Sequence, residues 1–72
     1  MSALQLVVDV SEDEREMTVG AIADDRESAE AAGTWLASTM ISRSRDDWRL
    51  LSARTRVMTD TGQTAWRGEF TR

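Results

Sequence analysis

The chain is 72 residues long and carries nine arginines against thirteen aspartates and glutamates, a formal net charge of −4. It contains no His, Cys, Lys or Tyr. Those absences remove the usual nucleophiles, neutral-pH general bases and soft-metal ligands, and they exclude disulfides and thiolate zinc sites. Catalysis would have to rest on carboxylates and arginine, so the inventory points to binding rather than chemistry, with no enzyme activity and no cofactor or metal expected.

A chain this short buries only about 60% of its unfolded surface and supports one core, so residues 1–72 are expected to form a single domain. With 40% hydrophobic and 31% charged residues, it should be globular. Without disulfides or a structural metal, oligomerisation or partner binding is the expected supplement to a small core. The start Met1-Ser2-Ala3-Leu4 has no basic segment, and no apolar run approaches the roughly 18 residues of a membrane span. A cytoplasmic protein in a bacterial host cell is the expectation. Exclusive use of arginine fits the coding bias of a GC-rich bacterium or its phage better than selection for bidentate contacts.

Leu4, Leu6, Val8 and Val10 alternate with Gln5, Val7 and Asp9, the period of a strand with one face buried. Ser11-Glu12-Asp13-Glu14-Arg15-Glu16 is a polar turn, after which Met17, Val19, Ala21 and Ala23 resume the alternation. These segments predict a hairpin. Asp24-Asp25-Arg26-Glu27-Ser28 supplies a helix start, either Asp serving as cap. The period then changes: Ala29, Ala32, Gly33, Leu36, Met40 and Ile41 form one stripe of a helix reaching about Arg43. Gly33 costs about 1 kcal/mol relative to Ala in a helix, so its place on that stripe predicts close approach to a sheet. Trp35, at the edge of the stripe, is expected to be partly buried.

Ser42-Arg43-Ser44-Arg45-Asp46-Asp47 predicts a polar connection. From Trp48 a third strand places Leu51, Ala53, Thr55 and Val57 on one face and Leu50, Ser52, Arg54, Arg56 and Met58 on the other. Thr59-Asp60-Thr61-Gly62 marks a hairpin turn, with Gly62 suited to positive φ. The last strand, Gln63 to Thr71, has Trp66 and Phe70 as core anchors with Gly68 between them. The order ββαββ predicts an α+β layer: an antiparallel-rich four-stranded sheet with one helix on one face. Gln5, Val7, Asp9, Thr18, Gly20, Ile22, Leu50, Ser52, Arg54, Arg56, Met58, Arg67 and Glu69 then fall on the open face. There Val7, Ile22 and Leu50 form a candidate apolar patch for a second copy, giving a homodimer, or for a partner.

The acidic pairs Asp24-Asp25 and Asp46-Asp47 are oxygen donors for a hard cation, but they lack the spacing of a calcium loop and read as caps and loops. Gly20, Gly33, Gly62 and Gly68 are isolated and form no phosphate-binding pattern. Two charged groups remain as candidate partner-binding sites. Glu12, Asp13, Glu14 and Glu16 project from a hairpin tip and suit a basic groove meant for nucleic acid. Arg54, Arg56 and Arg67 share a sheet face and, with Arg49 as a further phosphate contact and Trp48 or Trp66 to stack a base, suit nucleic acid itself. The net charge disfavours the latter.

The strand Leu4 to Val10, the strand Met17 to Ala23 leading into Asp24-Asp25-Arg26-Glu27-Ser28, and the hairpin around Asp60-Thr61-Gly62-Gln63 with Trp66 together resemble, in architecture, small phage-encoded anti-CRISPR proteins. That resemblance implies stoichiometric inhibition: binding to a subunit of a CRISPR surveillance complex, blocking DNA engagement or nuclease recruitment. A nucleic-acid-binding module using the last hairpin, and a homo-oligomeric phage structural protein, are the alternatives.

Overall fold

The structure is a computed structural model that describes residues 4–43 and 47–72. Strands β1 (Gln5–Val10) and β2 (Glu16–Ala23) form the first hairpin, helix α1 (Arg26–Arg43) follows, and β3 (Arg49–Val57) and β4 (Thr64–Thr71) form the second. All pairings are antiparallel and the sheet order is β1-β2-β4-β3, with α1 on one face. This is the α+β arrangement expected from the sequence. β2 and β3 run parallel with β4 between them, so β4 completes the sheet last in chain order and ties both hairpins together.

Asp25 caps α1: its Oδ1 accepts the Ser28 backbone N–H at 2.7 Å, satisfying one of the amides left free in the first turn. Asp24 instead accepts from the Gln63 side chain at 3.4 Å, linking the helix start to the β3–β4 turn. That turn has Gly62 at φ 74° with its N–H on the Met58 carbonyl. The segment around Ser44, Arg45 and Asp46, and the residues Met1, Ser2 and Ala3, lie outside the described residues.

The core lies between α1 and the two central strands. Met17, Val19, Ala21 and Ala23 of β2 are buried as their alternation predicts, joined by Phe70 of β4 and by Ala29, Gly33 and Ala37 of the helix. Leu36, Met40, Ile41, Trp48 and Trp66 pack around this cluster. Gly33 makes the expected close approach. A Cβ built there would sit 2.1 Å from a ring carbon of Trp66, and one built on Gly68 would sit 2.6 Å from the same indole. The ring of Trp66 therefore occupies space that side chains at both positions would fill.

Four expectations are corrected. Leu4, Leu6, Val8 and Val10 were assigned to a buried strand face, yet every residue of β1 is exposed. A helix is about 10 Å across and strands lie about 4.8 Å apart, so one helix over β2 and β4 leaves both edge strands uncovered. Trp35 was expected to be partly buried but is 61% exposed, because its position on α1 points away from the sheet. Leu50 does not belong to the open face: a bulge between Leu50 and Ser52 inserts Leu51, so Leu50 pairs with Phe70 on the helix face. The proposed apolar patch of Val7, Ile22 and Leu50 therefore does not assemble.

Gly33→Ala should destabilise the protein by about 1–3 kcal/mol through overpacking against Trp66, although alanine is the better helix former by about 1 kcal/mol. Urea denaturation checks this. The loss should shrink in a Trp66→Leu background, since residues in contact couple.

Candidate interaction surfaces

The acidic turn between β1 and β2 is held by its own hydrogen bonds. Ser11 Oγ donates to Asp13 Oδ1 at 2.6 Å, the Arg15 N–H donates to the same oxygen at 3.2 Å, and the Glu16 N–H donates to Ser11 Oγ at 3.0 Å. Backbone bonds from Ser11 N to Glu16 O and from Glu14 N to Ser11 O close the loop. Glu14 sits at φ 58°, in the left-handed region where non-glycine residues are uncommon. The Ser11 hydroxyl, and then the Arg15 amide, hold the Asp13 carboxyl below its usual value of 3.8. Asp13 thus spends much of its acceptor capacity inside the turn, while Glu12, Glu14 and Glu16 are exposed.

The tip is anchored from the far end of the chain. Arg72 donates its N–H to the Arg15 carbonyl at 3.0 Å, places Nη2 3.5 Å from Glu14 Oε2, and lays its guanidinium 4.7 Å from the centre of the Trp48 ring. Trp48, one of the two rings assigned to base stacking, therefore packs against the core cluster and carries Arg72. Trp66, the other, lies between α1 and the sheet.

Arg54 and Arg67 face each other directly across β3 and β4 on the open face, and Arg56 lies opposite Ala65 beside them. Like charges in that relation repel. Arg67 is offset by Glu69, whose Oε1 lies 3.0 Å from its Nη2 and whose Oε2 accepts from Ser52 Oγ at 3.4 Å. Among the described residues Arg54 and Arg56 have no ion-pair partner. Ser52, Arg54, Arg67 and Glu69 outline one shallow hollow of about 210 Å³. Glu16 and Arg67 border a neighbouring one, with Leu51 and Thr18. The structure thus brings Glu16 toward the arginine face, and leaves Glu12, Asp13 and Glu14 at the tip.

Sequence reasoning missed an apolar groove on the helix face. Thr34, Ala37, Ser38 and Ile41 form one wall, Leu50 and Ala53 of β3 the other, and Trp66 and Phe70 the floor. The bulge at Leu51 creates it by turning Leu50 inward, and no alternation of residue types signals a bulge. Among the described residues no three carboxylates converge on a metal site, and no helix is long and apolar enough to cross a membrane. Comparison with known proteins brings no match: no family model fits the chain, and no curated protein or solved structure matches it.

The Ser28 amide lowers the Asp25 carboxyl in the same way that Ser11 lowers Asp13. Both groups have folded pKa values below the unfolded one near 3.8. Their stabilisation is therefore complete above that value and is lost as pH falls through the folded values. Thermal midpoints between about pH 5 and pH 2 should fall, and the fall should be shallower for Asp13→Asn and Asp25→Asn.

Proposed function

We propose that this chain is a non-enzymatic interaction protein, encoded by a phage or mobile element, that inhibits a host assembly by occupying a surface meant for nucleic acid. A CRISPR surveillance complex is the assembly that the architectural resemblance implies. The observation that carries this reading is the pre-ordered acidic tip. Its carboxylates stand on a loop already held by Ser11, Asp13 and the Glu14 backbone, and braced by Arg72. Binding through it loses little conformational entropy, and its charge steers it toward a basic groove. Glu16 extends the same negative surface toward the sheet.

The immobilised chain should retain a host protein at near-stoichiometric yield, competing duplex DNA should release it, and Glu12→Lys combined with Glu16→Lys should abolish capture. Recovery of no partner, or capture indifferent to both DNA and charge reversal, would sink the reading.

A second reading, nucleic-acid binding through Arg54, Arg56 and Arg67, is favoured by one observation: Arg54 and Arg56 have no counterion among the described residues. Against it, the rings of Trp48 and Trp66 are already engaged. We expect no binding of single-stranded or duplex oligonucleotides at low salt. Binding that weakens steeply with salt and disappears in Arg54→Ser/Arg56→Ser would replace the first reading with this one.

A further inference from the structure

We propose that β1 is a self-association edge, on which a second copy of this chain adds its own β1 antiparallel about a two-fold axis at Val7 to make a continuous eight-stranded sheet. The proposal does not rest on the acidic tip.

Its first support is where the exposed apolar residues lie. Of the nine large hydrophobics exposed among the described residues, five are consecutive or nearly so in this one segment: Leu4, Leu6, Val7, Val8 and Val10. β1 has no proline, no bulge and a single charge, Asp9, so it lacks the devices that keep edges from pairing. The other edge is guarded. Pairing β3 with its own copy about Thr55 would set Arg54 opposite Arg56 of the second chain, a like-charge contact.

The second support is register. The Ser11 N–H bonds to Glu16 O, so Ser11 and, by alternation, Asp9, Val7 and Gln5 direct their backbone groups to β2. Leu4, Leu6, Val8 and Val10 then direct theirs outward. These are also the residues on the helix face, since Leu6, Val8 and Val10 pair with buried Ala21, Val19 and Met17. Centring two copies on Val7 places Leu6 opposite Val8 and Leu4 opposite Val10, matching outward hydrogen bonds and apolar side chains at once. On the open face it sets Val7 against Val7 and the Gln5 amide against Asp9, with no like charges opposed.

Light scattering and sedimentation of the full chain should show a dimer that dissociates on dilution. Val7→Asp, which sets two carboxylates at the axis, should weaken it by about tenfold or more, while Val57→Asp on β3 should leave it intact. Hydrogen exchange of the unsubstituted chain provides a reading that needs no variant: the Leu6 and Val8 amides should gain protection with concentration, and the Thr55 and Val57 amides should not. A monomer at all concentrations, a dimer that Val57→Asp rather than Val7→Asp disrupts, or concentration-independent exchange at Leu6 and Val8 would each overturn the proposal.

Discussion

The placement of the Trp66 indole against two glycines is the constraint on which the rest of the molecule depends. Gly33 brings the α1 backbone down to the ring, and Gly68 lets the ring lie over β4 without a side chain beneath it. Ala29 and Ala37, one turn to either side of Gly33, keep the same face of the helix small. The helix is thereby seated over β2 and β4, and its height and lateral position leave no freedom to cover β1 or β3. With the helix seated over the two central strands, its width of about 10 Å leaves both edge strands exposed.

A core in which small helix residues meet Phe70 and Trp66 has consequences for stability. Among the described residues, Met17, Val19 and Phe70 are the large side chains buried to 4% exposure or less. Burying a side chain of that size contributes about 1.5–3 kcal/mol, and few such contributions are available here. The hydrogen-bonded accessories therefore matter more than they would in a larger domain: the Asp25 cap, the Asp24–Gln63 link, and Arg72 joining β4 to the β1–β2 turn and to Trp48. Each ties an element end to a different element. The sheet is fastened at its corners as much as through its centre.

How far the sequence spoke depended on whether a residue's fate was decided locally. The alternation in β2 and β4, an aspartate cap at Asp24 or Asp25, the role of Gly33 and the positive φ of Gly62 were all legible, because period, capping and backbone freedom are properties of a few neighbouring residues. β1 shows the limit. Its alternation is as regular as that of β2, and it does form a strand, but burial depended on the width of a helix many residues away. Trp35 failed for a related reason, since its place beside the stripe turned out to lie on the crest of the helix. The bulge at Leu51 carried no signal at all, and it moved Leu50 to the other face. Of the candidate site, the exposure of the acids and arginines was legible, whereas the diversion of Asp13 into the turn and of Trp48 toward Arg72 required the three-dimensional arrangement.

The two edges left by this packing are chemically unlike, and the difference has a physical meaning. An open edge strand is a template for any extended chain, so a protein that cannot cover its edges must mark them. β3 is marked by Arg54 and Arg56, which repel a second copy of the same edge and, with Arg67, keep the adjacent face hydrated. β1 carries only Asp9, and its apolar residues alternate in phase with its outward backbone groups. An edge retained in that state has no reason to remain unguarded in a monomer, where it adds only the risk of indiscriminate pairing. The two edges thus differ in the way expected when one has a standing occupant and the other does not.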